Sequence, residues 1–413
     1  MAELLRRRWK PDFEGLSRQD REGGSYESYL PDPLGGWNLS LPADLAADIA
    51  DAEAAVRDLN ASGTMHASLE GLARVLLRTE AVASSRIEGL SAGPRRLLRA
   101  DFLSREGEPF SDSRAAEIIG NIRAMEAAID FGSTQQDFTL KNLLEMHRLI
   151  MEHSRRPELG GTMRGSQNWI GGSNYNPLRA VFVPPPPEYL PELVDDLIEY
   201  LNGDQHSPLV QAGIGHAQFE TIHPFADGNG RTGRALIHVV LGRRGLARDF
   251  VPPVSLLLAN WVDDYVGGLT AYRHTSPPDS PARSEGAHTW LRTLAVATRR
   301  ACLYGRRYAA EITALYRDWS GRIGRTRRDS SLLLLLADLP GAPVVSVKTA
   351  ASLIGRSTVN TNTAINRLVE VGVLTQRNVG KQRYRIFEAL EVIDLITEME
   401  KDLNNPVRHS LHR

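Results

Sequence analysis

The chain has 413 residues, a formal net charge of −1 and 42% hydrophobic residues. That length provides core for two or three domains, and the near-zero charge excludes a chain that is basic throughout. Its one cysteine, Cys302, excludes an intrachain disulfide and suits a reducing compartment, and no apolar run reaches membrane-spanning length. The expectation is a cytoplasmic protein with no membrane partner.

In chain order, the first ten residues are charged and carry no signal-like apolar stretch. Apolar periodicity predicts helices over residues 45–59 and 69–77, and a helix over 76–89 ending at Gly89. Gly161-Thr-Met-Arg164 and Gln167-Asn-Trp-Ile-Gly-Gly172 read as irregular. Ala180, Val181, Phe182 and Val183 favour extended backbone, and prolines 184–187 bar a helix directly after them. Helical patterns return over 191–201 and 209–222, then over 232–243 and, as one apolar helix, 254–265. Residues 275–288 read as a loop, followed by two helices over 290–304 and 308–323. The remainder predicts helices starting at 331, 346 and 357, then a hairpin over 373–387 turning at Gly380. Strand signals are few, so the fold class is mainly α.

The densest chemistry lies in His223-Pro-Phe-Ala-Asp-Gly-Asn-Gly-Arg-Thr-Gly-Arg234. Gly228, Gly230 and Gly233 permit tight turns and close backbone approach. The segment opens into a helix, whose N-terminal N–H groups favour an anion. Arg231 and Arg234, three apart, offer guanidinium forks suited to phosphate oxygens. Asp227 is a hard oxygen ligand for Mg²⁺ carried on substrate phosphates, and His223 accepts protons near neutral pH. Together these residues suit chemistry at a phosphorus atom of a polyphosphate.

The segment resembles the signature of the Fic (filamentation induced by cAMP) family, His-x-Phe-x-Asp/Glu-Gly-Asn-Gly-Arg-x-x-Arg, with every fixed position filled. The resemblance implies a Fic-type helical core and transfer of AMP from ATP to a Tyr, Thr or Ser hydroxyl of a target protein, self-modification included. It makes His223 the base and Asp227 the Mg²⁺ ligand. It assigns Pro224, Phe225, Ala226, Gly228, Asn229, Gly230, Arg231 and Arg234 to nucleotide binding, with Phe225 as an anchor of the loop and Asn229 in the phosphate cradle. It also implies that Asn260 contacts the nucleoside, that Tyr265 lines the base pocket, and that the protein is a homodimer.

Three further segments join this reading. Ser84, Glu88 and Gly89 match the family's inhibitory pattern, Ser/Thr-x-x-x-Glu-Gly/Asn, which in the family places the glutamate against the second motif arginine, here Arg234. Its position before the core resembles the family's second class. Residues 180–183 resemble the β-hairpin flap that docks target peptides by edge pairing. Residues 330–387 resemble a winged helix-turn-helix, with Thr358, Asn362 and Asn366 on the polar face of its second helix and Arg377, Lys381, Arg383 and Arg385 on the wing. The expected division is 1–110 as the N-terminal region with the inhibitory helix, 111–270 as catalytic core, 271–325 as helical linker and 326–413 as winged domain and C-terminal helix. Two alternatives stay open here: a regulator that binds DNA through residues 346–385 and uses the core as a nucleotide-responsive switch, and an enzyme that removes AMP.

Overall fold

The computed structural model of the chain describes every residue except 1, 12–14, 16, 63–68, 110, 135, 278–279, 328, 378–384 and 404–413. A hairpin of β1 (Glu3–Trp9) and β2 (Gly24–Leu30) comes first. Then follow α1 (Ala43–Ser62), α2 (Leu69–Ile87), α3 (Pro94–Glu106), α4 (Ser113–Ser133) and α5 (Leu140–Met151). A long irregular stretch leads to α6 (Leu190–Asn202), α7 (Pro208–Ile222), α8 (Asn229–Arg243), α9 (Val254–Leu258), α10 (Val262–Tyr272) and α11 (Pro281–Ile323). The chain continues through α12 (Ser331–Asp338), β3 (Val344–Ser346), α13 (Val347–Ile354), α14 (Thr358–Glu370), β4 (Thr375–Gln376), β5 (Ile386–Glu388) and α15 (Leu390–Leu403). The fold is mainly helical, as the periodicity implies.

The structure departs from the sequence reading in four places. The β1–β2 hairpin was not anticipated; Arg6, Arg7 and Arg8 in a row hide the alternation that turns Leu5, Arg7 and Trp9 toward the partly buried face. The two pieces expected over 69–77 and 76–89 are one helix, α2. The single helix expected over 254–265 is two, α9 and α10. The break comes where Trp261 N–H turns back to the Leu257 and Leu258 carbonyls, burying its indole under the Arg300 guanidinium. Finally, α11 begins inside the expected loop and runs unbroken for 43 residues. Pro281 suits a first helical position, and Gly305 is tolerated because a Cβ there would crowd Leu59 at 3.1 Å.

Two compact units share the chain. The first comprises Met1–Glu53, Ala124–Leu246 and Val262–Val296. Its central element is α7, in which every residue from Leu209 to Ile222 is buried. A helix apolar on one stripe cannot do this; small residues must admit neighbours on several sides. At Gly213 a Cβ would stand 2.7 Å from Leu291, and at Gly215 it would stand 2.5 Å from Leu201, so α11 and α6 approach closely. The polar groups carried inside are satisfied: Gln211 Nε2 donates to the Tyr200 and Gly203 carbonyls, and Trp290 Nε1 donates to the Gly213 carbonyl at 2.7 Å.

The second unit comprises Ala54–Arg123, Ala247–Trp261 and Ala297–Arg413. Here Glu80 of α2 is buried and caps α9, accepting from the Ser255 backbone N–H at 2.8 Å and from its hydroxyl. Trp319, Leu335, Ile365, Leu368, Phe387 and Ile393 form one apolar core for α11–α15 and the sheet. The sheet order is β3-β5-β4, all antiparallel. Ser346 caps α13 through a reciprocal pair with Thr349, and Gly355 ends it at φ +61°. Among the described residues no helix is long and apolar enough to cross a membrane.

Candidate active site

The site is built at the end of α7 in the first unit. His223 follows the last helical residue and takes the left-handed conformation, φ 50° and ψ 58°, while its N–H still closes on the Phe219 carbonyl at 2.8 Å. It is the one non-glycine residue with positive φ among the described residues. Such a conformation costs on the order of 1–3 kcal/mol and persists only where surroundings enforce it. The imidazole is partly exposed. Its Nδ1 stands 3.4 Å from the Glu220 carbonyl and 3.8 Å from the Glu220 carboxylate. A carbonyl only accepts, so in this contact Nδ1 carries the proton and Nε2 is the basic nitrogen. Glu220 was not singled out from the sequence, although its position three residues before His223 on the same helix was a usable signal.

Long-range partners fix the loop behind the imidazole. Arg164 is buried and donates through Nε to the His223 carbonyl at 2.9 Å and through Nη2 to the Pro185 carbonyl at 2.6 Å, while its own N–H donates to the Pro224 carbonyl. Burial draws its guanidinium down to about 10, still charged at neutral pH. Asn168 Nδ2 donates to the Phe225 carbonyl at 3.0 Å. Phe225 is fully buried and stacks on His147 with ring centroids 3.7 Å apart. It therefore anchors the loop and offers no surface to a nucleotide. Asn229 differs from its expected place in a phosphate cradle: its Oδ1 accepts from the Phe225 N–H at 2.9 Å and its Nδ2 donates to the Phe225 carbonyl at 2.8 Å. That reciprocal pair holds the bend. Pro224 is also buried, whereas Ala226 and Asp227 are exposed. Asp227 Oδ1 accepts the Gly228 N–H at 2.6 Å, so the carboxylate faces outward beside the helix start.

Of the three loop glycines only Gly228 needs its freedom for conformation: it is the N-cap of α8 at φ +77°. Gly230 and Gly233 are helical, and Gly233 serves packing, since a Cβ there would stand 2.6 Å from Glu220 Oε1 and 2.9 Å from Phe219. Arg231 and Arg234 are both buried, and Arg234 Nη1 donates to the Tyr265 hydroxyl at 3.4 Å. Tyr265 is buried as well, its hydroxyl 2.9 Å from His216 Nε2. It thus lies under Arg234 within the first unit instead of lining an open base pocket.

Two buried histidines make this site acid-sensitive. His147 Nδ1 accepts the Gly161 N–H at 3.0 Å, so its Nε2–H donates to the Asp227 carbonyl, also at 3.0 Å. Burial pulls His147 down to about 4 and His216 to about 3, against about 6.5 in an unfolded chain. The folded state then binds fewer protons than the unfolded state below pH ~6.5, so stability is full above that value and is lost as pH falls toward about 4. For His147 alone the loss approaches ~3 kcal/mol. Urea unfolding at pH 7, 5.5 and 4.5 should show falling midpoints, and His147→Gln should flatten that slope. Equal slopes for the two proteins would remove His147 from this account.

The flap is narrower than expected. Ile170 and Phe182 form a single antiparallel bridge and no strand, with Ile170 N–H donating to the Phe182 carbonyl at 2.8 Å and Val181 N–H to the Ile170 carbonyl at 2.8 Å. The Val183 carbonyl accepts from Tyr29 of β2 at 2.9 Å, and the Ser28 hydroxyl donates to the Pro184 carbonyl at 2.6 Å. The backbone edge is therefore largely occupied by Ile170 and the unanticipated hairpin. The Val181 side chain stands out at 85% exposure, and Arg273 stacks on Phe182 at 3.6 Å.

The segment expected to be inhibitory, Ser84 to Gly89, and Asn260 lie in the second unit. Ser84 is buried, Glu88 and Gly89 are exposed, and Gly89 adopts φ +76° as the helix ends. The Leu90 N–H returns to the Ser85 carbonyl at 3.0 Å. Buried Asn121 donates to the Ala81 carbonyl at 2.8 Å and to the Ser85 hydroxyl at 3.0 Å, and Arg86 donates to Asn260 Oδ1 at 2.9 Å. Asn260 thus sits at the α9–α10 break, tied to the end of α2. Asn121 and Arg86 carried no signal in the sequence beyond ordinary helix composition.

The site thus joins a glycine-capped helix start, two buried arginines, a carboxylate and a strained histidine in a mainly helical fold. Comparison with known proteins is specific: residues 137–241 match the Fic/DOC family and residues 46–130 match the Fic/DOC family N-terminal region. The chain therefore carries a Fic/DOC family domain over residues 137–241, preceded by the N-terminal region of that family. It is 30% identical over 181 residues to protein adenylyltransferase fic-1 of Caenorhabditis elegans, spanning 41% of this chain and 32% of that protein. It is 37% identical over 144 residues to protein adenylyltransferase Fic of Aedes aegypti, spanning 34% of this chain and 26% of that protein. The chain thus spans about a third or less of the length of these curated relatives. A Fic family protein from Desulfovibrio desulfuricans G20 shares the fold, with a TM-score of 0.51 at 20% identity over 85% of this chain and 97% of that one.

Proposed function

We propose that the chain transfers AMP from Mg·ATP to a hydroxyl side chain of a protein. The carrying observation is His223, strained into place with Nδ1 turned to the Glu220 carbonyl, directly ahead of an exposed carboxylate and the start of α8. In this reading the target O–H gives its proton to His223 Nε2 while its oxygen bonds to the α-phosphorus. The bond from that phosphorus to the bridging oxygen breaks, and pyrophosphate leaves. Asp227 fits Mg²⁺ brought in on the phosphates, an ion that takes one or two protein carboxylates. The N-terminus of α8, with Gly228, Gly230, Arg231 and Arg234, neutralises the charge on the triphosphate, which is most of what phosphoryl chemistry asks of a protein. Asn229, Phe225 and Pro224 act by holding the loop, and Asn260 contacts the nucleoside. Val181 and its neighbours Ala180, Phe182 and Val183 receive the target, by side-chain contact more than by edge pairing.

The same proposal keeps Ser84, Glu88 and Gly89 as the inhibitory segment, divides the chain at about 110, 270 and 325, and takes the protein as a cytoplasmic homodimer. The Fic/DOC matches at residues 46–130 and 137–241, with 30% and 37% identity to named adenylyltransferases, support the AMP-transfer part of the proposal. Incubation of the Glu88→Gly variant with ATP, Mg²⁺ and cell lysate, read by mass spectrometry, should find AMP esters on Tyr, Thr or Ser of a small set of proteins. Disappearance of such esters when wild-type protein is added would assign the reverse reaction instead.

One observation favours a second activity for the C-terminal segment. The order α12–α14 with the β3-β5-β4 sheet supports the winged-helix reading, and Val359 at the start of α14 is 74% exposed. Arg385 donates to Asn362 and, at 3.3 Å, to Asn366, so the basic wing touches the helix meant for a groove. Arg377, by contrast, is engaged by Glu388 at 2.5 Å, and Lys381, Arg383 and the Gly380 turn lie outside the described residues. The full chain should shift duplex DNA at low salt, with affinity falling linearly in log salt. No shift at low salt would leave this segment to protein contacts.

A further inference from the structure

We infer that the second unit holds a binding site for a small organic anion, built against the inhibitory turn. Its regulatory meaning rests on the proposed function; its existence does not. A cavity of about 390 Å³ lies between α2, the link into α3, α9, α11 and α15. That volume falls in the range of small-ligand sites, ~300–1,000 Å³. Among the described residues Arg78 and Arg86 line it, and no Asp or Glu does. Asp101, the carboxylate on Arg78, is shared with Arg105 at 3.2 Å. Arg86 donates to Asn260 Oδ1 at 2.9 Å. Val82, Leu256 and Tyr308 give the cavity an apolar wall, and Thr397 of α15 closes it.

A ligand matching these walls has an apolar body and one carboxylate or phosphate head. A guanidinium binds an oxyanion more strongly than it binds a carboxamide, so the head would draw Arg86 from Asn260. Arg86 belongs to the last turn of α2, and its carbonyl accepts the Gly89 N–H at 2.9 Å. Occupancy would therefore act on the turn that sets Glu88 and on Asn260 at the same time.

Calorimetric titration of the full chain tests this with phenyl phosphate and benzoate, against benzyl alcohol and inorganic phosphate. The anion with an apolar body should bind at least about tenfold more tightly than either comparator; phenyl phosphate against benzoate tells which head the site prefers. Arg86→Gln and Thr397→Trp, the second filling the cavity, should each weaken binding about tenfold or more, with circular dichroism confirming that they fold; if one does not, the other decides. Binding equal to that of benzyl alcohol, no binding by either anion, or binding that survives these substitutions and so belongs to the loop arginines, would overturn the site. Saturating phenyl phosphate should also change the AMP-transfer rate of wild type and not of Thr397→Trp. A chain that binds the anion yet never labels a protein would sink the proposed function and leave the site standing.

Discussion

Glu88→Gly should raise the rate of AMP transfer by about 10- to 100-fold, the rate equivalent of the ~1.5–3 kcal/mol carried by a hydrogen bond to a charged group. Gly89 turns the chain at φ +76°, Asn121 pins the preceding turn through Ala81 and Ser85, and Glu88 projects from it as an exposed side chain. Because Asn121 pins the turn before it and Glu88 is exposed, replacement by glycine should leave the fold intact. In the inhibitory reading it competes with the terminal phosphate for Arg234, and ATP bound against that competition presents its α-phosphorus badly. Release should therefore appear in kcat for transfer, with a smaller change in the affinity for ATP. Steady-state transfer rates of the two proteins at saturating Mg·ATP measure it, and equal rates would remove Glu88 from regulation.

His223→Ala in the Glu88→Gly background should lower transfer by ~10²–10⁴-fold, the usual contribution of a positioned base. The loss should fall on kcat, because Phe225, Asn229 and Arg164 hold the loop and the start of α8 without help from the imidazole. Alanine also relieves little of the backbone strain: the left-handed φ of 50° remains imposed by the Phe219 and Arg164 hydrogen bonds. Retained ATP binding together with lost transfer is the expected pair of results. Full transfer by the variant would mean that another group takes the proton.

The loop was readable because its chemistry is local. Twelve consecutive residues carry the imidazole, the carboxylate, the glycines and the arginines, and a Pro-started helix before them and an apolar-periodic helix after them fix their placement. What supports the loop was not readable, since those partners are remote in sequence. Arg164 reaches His223 across 59 residues and His147 reaches Asp227 across 80, and nothing in either neighbourhood marks a buried hydrogen-bonding role. Asn229 shows the converse limit: residue type suggested phosphate, and only geometry shows its carboxamide closed on Phe225. At the level of elements, capping signals worked where they existed, as at Ser346 and Gly355. Boundaries failed where tertiary packing decided them. No glycine or proline marks the break at 259–261, which follows from burying Trp261, and Gly305 suggested an interruption that the passage of Leu59 makes unnecessary.

The central claim is that this loop directs a protein hydroxyl to the innermost phosphorus of ATP. Incubating the Glu88→Gly chain with Mg·ATP and lysate, in parallel with label on the α- or the γ-phosphate, tests it most directly. Label retained on protein from the α-position and absent from the γ-position is the predicted result, lost in the His223→Ala double variant. Label retained from the γ-position, or none from either, would contradict it.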